Sequence, residues 1–270
     1  MNKVLQIGKN HEVYQKIKDL KKHYKNGYFV VEDISILDMW KQQGNGVEIM
    51  LFCNELIYKD ETKELLEYLL NNSKESYEVS KKVFMDLVDK ENAQGIACLI
   101  YKPYLTVKDI NKEKHQFVLV NDGIELPGNL GTLVRTCDAA SVDLIINVNE
   151  KTKFNNPKVI QSSRGMVLFK DLISCTYEEA QEKLLELGYD IFLGEPELGK
   201  SYDQYGYKGN IAIVIGNERY GIDSRWYDKK HLKVFIPMEG IMGSLNVGLQ
   251  CCFCFMFWWS AQGACRFLTL

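Results

Sequence analysis

The first 130 residues hold no arginine. All five arginines, Arg135, Arg164, Arg219, Arg225 and Arg266, come later, and lysine supplies the earlier positive charge. Guanidinium is the better group for planar recognition of phosphate, so anion chemistry is expected in the C-terminal part. An excess of positive charge is also missing. The formal net charge is −3, which excludes nucleic-acid binding by bulk charge and leaves room for a local basic patch. No long apolar stretch opens the chain, so no secretory leader is expected. The eight cysteines are then expected as reduced thiols in the cytoplasm. The apolar run 247–259 is too short for a membrane span and reads as a buried helix. No histidine lies near Cys251, Cys252 and Cys254, so core packing is expected there and a metal is not. No G-x-G-x-x-G follows an early strand, which argues against a dinucleotide-binding dehydrogenase.

What is present suits a soluble globular protein of two domains: 270 residues, 46% hydrophobic and 26% charged. Apolar positions at Val13, Ile17 and Leu20 predict a helix within residues 11–26. Strands are predicted at Tyr28–Val31, Val47–Cys53 and Ile96–Tyr101. Helices are predicted at Ile34–Gln43, ended by Gly44, at Thr62–Asn71 and at Val79–Val88. This alternation makes a small α/β unit. It has no glycine-rich phosphate loop, so it reads as a recognition module, with Lys18, Lys21, Lys22 and Lys25 on one broad helix face. Thr106–His115 carries five charged residues and reads as a linker.

A second α/β domain opens with a strand at Phe117–Val120 and a turn at Asn121-Asp122-Gly123. Asn129 is then expected to cap a helix running to Ala140, which places Arg135 nearly two turns in. Further strands are expected at Val142–Val148, Tyr189–Leu193 and Ile211–Ile215, and helices at Asn156–Pro157 onward and Tyr177–Leu187. The continuous apolar run Ile211–Ile215 is of the kind buried on both faces in a parallel sheet. It ends in the turn Gly216-Asn217-Glu218-Arg219-Tyr220-Gly221, and a carboxylate at the end of a buried strand is where open α/β sheets place ligands. The strand at 232–237 runs into Met238-Glu239-Gly240-Ile241-Met242-Gly243-Ser244-Leu245-Asn246-Val247. There Gly240, Gly243 and Gly248 free the backbone to approach a ligand, and Ser244 can cap the helix that follows.

Taken in order, N-x-G-x-x-x-R (129–135), G-x-E-x-x-G (216–221) and I-P-M-x-G-x-x-x-S-L-N-V (236–247) resemble the three sequence motifs of the SpoU, or TrmH, branch of the SPOUT methyltransferases. The match covers about residues 117–260. Residues 25–101 more loosely resemble the ribosomal-protein-like RNA-binding domain that precedes the catalytic domain in many relatives. The resemblance implies an α/β fold: a trefoil-knot methyltransferase domain at 116–270, a linker at 106–115 and a smaller RNA substrate-binding domain at 1–105. It also implies homodimers with the site near the interface; no membrane and no metal are expected from the residues themselves. The implied cofactor is S-adenosylmethionine, lined by Ile215, Gly216, Glu218, Ile236, Met238, Ser244 and Leu245. The implied catalytic set is Asn129, Arg135, Glu218, Ser244 and Asn246. The implied reaction is methyl transfer to a ribose 2′-hydroxyl of structured RNA, with 23S ribosomal RNA favoured because relatives acting on tRNA tend to lack the N-terminal module. Thiostrepton-resistance enzymes share this layout. Two readings stand beside it: a tRNA ribose methyltransferase, and an RNA-binding protein that keeps the fold without the reaction.

Overall fold

Runs of β-branched and large apolar residues form the middle of two sheets in the computed structural model, which describes residues 4–89, 93–227 and 231–237. The chain divides into two compact units. The first runs to Pro103 and includes Asn155–Gln161; the second holds Tyr104–Phe154 and the described residues from Ser162 onward.

In the first unit, strands β1 (Leu5–Ile7), β2 (Tyr28–Val31), β3 (Val47–Phe52), β4 (Ser73–Val79) and β5 (Ile96–Tyr101) pair in the order β1-β4-β3-β5-β2. β4 runs parallel to β1 and β3, whereas β5 is antiparallel to β3 and β2. Helices α1 (Glu12–His23), α2 (Ile34–Gln42), α3 (Asp60–Asn72) and α4 (Lys81–Leu87) complete it. The helical spacing in the sequence is realised: α1 buries Val13, Tyr14 and Ile17. Asp33 caps α2 through a 2.8 Å bond from the Ser35 N–H, and Gly44 takes the positive φ that follows it. Two strands were not legible. β4 has the polar sequence Ser-Lys-Glu-Ser-Tyr-Glu-Val and buries only Val79; it is a strand because β1 and β3 both pair with it. β1 is only three residues long.

The lysine face of α1 is partly neutralised within its own unit. Lys18 and Lys9 lie 2.8 and 2.7 Å from the Asp86 carboxylate, to which Tyr14 also donates at 2.9 Å. Lys21 pairs with Glu32 at 3.1 Å and donates to the Leu87 carbonyl. Lys25 does not share that face: α1 ends at His23, Tyr24 takes the left-handed conformation, and Lys25 lies beyond it over the Tyr28 ring. Lys16 and Lys22 remain exposed.

The second unit is a seven-stranded sheet, all parallel, in the order β10-β12-β9-β11-β6-β7-β8. Its strands are β6 (Phe117–Asp122), β7 (Leu144–Val148), β8 (Asp171–Ser174), β9 (Asp190–Glu195), β10 (Lys200–Ser201), β11 (Ile211–Ile215) and β12 (Leu232–Phe235). Helices α5 (Pro127–Ala139) and α7 (Tyr177–Glu186) connect them, while most of α6 (Pro157–Ser162) clusters with the first unit. β6, β7 and β11 are buried along their whole lengths, as central parallel strands covered on both faces must be. Val118, Val120, Ile146, Leu193 and Val214 share this core with Tyr177 and Trp226. Leu105 bridges to Ile173, and Ile110 joins the same core.

Two sequence expectations are corrected here. Asn121 and Asp122 do not form a turn; they finish β6 and are buried, and Gly123 alone takes positive φ. Their polarity is absorbed by side-chain partners instead of solvent: Asn121 donates to Asn147 at 2.6 Å. Nor does Asn129 cap α5. Pro127 opens the helix, as its fixed φ and missing N–H allow, with Leu126 at the cap position and Asn129 inside the first turn. The apolar run 247–259, with its cysteines, lies outside the described residues.

Lys18, then Lys9 and Tyr14, hold the Asp86 carboxyl well below its ordinary value of 3.8. A depressed carboxylate contributes stability above its unfolded pKa and loses it as pH falls through its folded pKa. The difference in urea midpoint between the wild type and Asp86→Asn should therefore be level above about pH 5 and shrink below about pH 4. A difference that stays constant into acid would show that the cluster contributes nothing through its charge.

Candidate active site at the carboxyl edge of the parallel sheet

β6 and β11 are neighbours, yet the chain leaves them in opposite directions. From β6 it passes through α5 to β7 on one side; from β11 it passes to β12, beyond β9 on the other. Such a reversal leaves a crevice outside the carboxyl ends of the two strands. The pairing is staggered at these strand ends. β6 and β11 stay in register to Asn121 and Ile215, whereas β9 and β11 pair only as far as Leu193 and Val214.

The turn 216–221 closes one side of the crevice. Asn217 and Gly221 exchange backbone hydrogen bonds of 2.9 Å each. A Cβ on Gly216 would fall 2.2 Å from the Gly221 carbonyl carbon, and Gly221 itself has φ +72°, so both glycines are required by geometry. The Asn217 side chain then fixes the turn from within. Its Oδ1 accepts from the N–H groups of Arg219 and Tyr220, at 2.8 and 3.2 Å, an Asx-type arrangement. Its Nδ2 donates to the Gly123 carbonyl at 2.8 Å, tying the turn to the loop after β6.

Two further ties join the same loops. Asn129 Nδ2 donates to Glu218 Oε1 at 2.5 Å. Buried Asp122 accepts from the Asp223 N–H at 2.7 Å and from Asn149 Nδ2 at 2.6 Å. Arg225 anchors the outer end. Its guanidinium meets Asp223 at 3.0 Å, Glu178 at 2.6 Å and Asn149 at 3.1 Å, and stacks 4.5 Å from the Tyr177 ring centre. The Arg225 bond and charge hold the Asp223 carboxyl below the usual carboxylate range.

The structure thus brings Asn129 and Glu218 together. Ile215 and Gly216 lie at the same carboxyl edge, and Ile236, half-buried, directly follows β12 there. Arg135 is not brought to the Asn129–Glu218 pair. It lies six residues further along α5, about 9 Å up the axis and about 120° around it. It is exposed and makes no ion pair among the described residues. Met238, Ser244, Leu245 and Asn246 lie outside the described residues. Sequence reasoning missed Asn217, Asp122 and Asn149. Asn217 could have been found, because Asn followed by turn residues and Gly signals a side chain bonded to its own backbone.

Asn217→Ala removes all three side-chain bonds while leaving both glycines in place. It should destabilise the protein by about 1–3 kcal/mol in a urea titration. A loss below about 0.5 kcal/mol would mean that the backbone alone holds the turn.

Comparison with known proteins agrees with this geometry. Residues 116–252 match the SpoU rRNA Methylase family. Over 249 residues the chain is 25% identical to the 23S rRNA (guanosine(2553)-2'-O)-methyltransferase RlmP of Bacillus subtilis strain 168, covering 92% of this chain and 95% of that protein. Among solved structures, the AdoMet-bound rRNA methyltransferase from Sinorhizobium meliloti superposes with a TM-score of 0.80 at 19% identity, over 99% of each chain. The SpoU methyltransferase AviRb from Streptomyces viridochromogenes, in complex with AdoMet, gives 0.82 at 20% identity, over 95% of this chain and 100% of that one. At such identities the superpositions establish the fold. The family match spans half of the sequence, and the chain belongs to the SpoU rRNA methylase family.

Proposed function

We propose that the chain is an S-adenosylmethionine-dependent methyltransferase acting on a ribose 2′-hydroxyl of structured RNA, with 23S ribosomal RNA as substrate. The observation that carries this is the Asn129–Glu218 hydrogen bond across the β6–β11 crevice, inside the segment that matches the family. The crevice suits the cofactor. Where β9 leaves β11, Ile215 and the side-chain-free Gly216 border the sheet edge, and Ile236 adds apolar surface after β12. Backbone and apolar side chains of this kind suit a flat nucleoside. Ile215, Gly216 and Ile236, together with Met238, Ser244 and Leu245, would hold it. When bound, it supplies a methyl group already activated by the sulfonium charge.

The residues of the chain orient the acceptor and handle its proton. Glu218 takes one amide hydrogen of Asn129, which fixes the amide and leaves Oδ1 as an acceptor for a ribose hydroxyl or a guanidinium. Arg135 holds an RNA phosphate and stabilises the developing alkoxide. A guanidinium scarcely deprotonates in a protein, so the proton passes to solvent or to a phosphate. Ser244 and Asn246 complete the polar set. Arg135 stands apart from its own Asn129–Glu218 pair, which supports a homodimer in which it serves the site of a second copy. Residues 1–105 serve as the RNA-recognition module, and 106–115 connect it to 116–270 as a segment that packs on the second unit through Ile110. No described helix is long and apolar enough to cross a membrane, in keeping with work on ribosomal RNA in the cytoplasm.

The test is transfer of labelled methyl from S-adenosylmethionine to ribosomal RNA from cells lacking the chain, followed by mapping of ribose methylation. Wild-type protein should modify a single ribose; no transfer would overturn the proposal. Arg135→Ala should lower kcat about 100-fold or more while calorimetry finds cofactor affinity within twofold. Lost cofactor affinity would place Arg135 in the wrong role.

The recognition module gives a separate expectation. Lys18 and Lys21 are held by Asp86 and Glu32, which leaves Lys16, Lys22 and Lys25 to meet phosphate. Changing these three to Gln should flatten the log–log salt dependence of RNA affinity by roughly 0.7–0.9 for each phosphate no longer neutralised. An unchanged slope would direct the RNA path away from α1.

A further inference from the structure

The turn that carries Glu218 also carries a side chain that the proposed reaction has not used. Tyr220 is 79% exposed, the most exposed large hydrophobic residue of those described. Its ring stacks on no described aromatic or cationic group, and its hydroxyl makes no hydrogen bond among the described residues. Exposure of this kind is ordinary on a mobile loop, but this turn is tightly held. The Tyr220 N–H donates to Asn217 Oδ1, the 217–221 backbone pairs with itself, and Asn217 is fastened to Gly123. The ring therefore projects from a fixed backbone while contributing no packing to the fold.

Its position in the chain limits its distance from the reacting centre. The Tyr220 Cα can lie no further than about 7.6 Å from that of Glu218, two residues away, and Glu218 holds Asn129. Next to it, Arg219 is exposed and forms no ion pair among the described residues. Across the crevice, the loop after β6 presents Leu126, 59% exposed, three residues before Asn129. Within two residues of Glu218 and three of Asn129, the chain thus exposes an aromatic ring, a cation and an apolar side chain. An aromatic face beside a cation is the combination that holds unpaired nucleotides, the ring stacking on the base and the cation meeting the phosphate.

We infer that Tyr220 is a stacking platform for an unpaired nucleobase of the RNA, next to the nucleotide whose ribose is methylated, and that Arg219 meets the adjoining phosphate. This rests on the function proposed above and adds a substrate requirement: the target ribose lies in a loop, bulge or end, where a neighbouring base is free to leave the RNA stack. Tyr220 positions the substrate and moves no proton.

Two measurements test this on the full-length protein, with ribosomal RNA from cells lacking the chain as the probe. In steady-state assays, Tyr220→Ala should raise KM for RNA between about 5-fold and 150-fold, the worth of one base–aromatic stack. Its kcat and its affinity for S-adenosylmethionine should stay within twofold. Tyr220→Phe and Tyr220→Trp should restore KM, and Tyr220→Leu, apolar without a π-face, should not. Separately, ultraviolet irradiation of the wild-type complex should leave a nucleotide adduct on the peptide containing Tyr220, a readout that needs no methyl transfer. A Leu variant as good as the wild type would overturn the inference. So would an unchanged KM for Tyr220→Ala with no adduct on that peptide, as expected if a second copy of the chain covers the ring. Wild-type protein that methylates no ribosomal RNA would instead overturn the proposed function, and the adduct would still decide whether Tyr220 meets a base.

Discussion

Asp122 is a carboxylate at the end of a central parallel strand, only 3% exposed, and the carboxyl edge is built around it. A buried carboxylate is costly unless donors replace its water. Here the Asp223 N–H reaches one oxygen and the Asn149 amide the other. Those donors come from chain segments that follow β11 and β7, so satisfying one side chain fixes three strand ends relative to one another. Arg225 extends the arrangement outward by bonding Asn149, Asp223 and Glu178 together. The turn 216–221 then has a rigid base on which to hold Glu218.

The second unit divides its work between its middle and its edge. Between the strand ends, apolar burial is continuous through β6, β7 and β11, and that burial stabilises the sheet without specifying a site. At the carboxyl edge, Asn121, Asp122, Asn147 and Asn149 replace the valines and isoleucines. Each is held by a side chain or backbone group across a strand boundary. Buried polar groups that are fully partnered define one arrangement where an apolar core would tolerate several. Beyond Leu193 and Val214 the strands β9 and β11 no longer pair.

Much of this can be read from the residues. Ile211–Ile215 announces a strand buried on both faces, and Val13, Ile17 and Leu20 announce α1. In the same way Gly216 and Gly221 bracket a turn at the end of a buried strand. The departures share one cause: polarity in a sequence reads as exposure. Asn121 and Asp122 resemble a turn because their partners, Asn147, Asn149 and Asp223, come from 26 to 101 residues further on. β4 resembles a loop because its strand state comes from two neighbours, not from its own side chains. No local pattern carries information about a partner that distant.

The same point explains Asn129. Local chemistry favours an N-cap role for an asparagine ahead of an apolar helical run, and in that role its side chain would be spent on its own helix. Pro127 moves the start of α5 three residues earlier and requires no donor there, so the helix begins without the Asn129 side chain. The amide is then left to reach Glu218, 89 residues away in sequence. A single proline thus converts a residue suited to end-capping into one that spans two adjacent strand ends. In this fold the local start signal and the long-range hydrogen bond compete for one amide, and the geometry of Pro127 decides the competition in favour of the site.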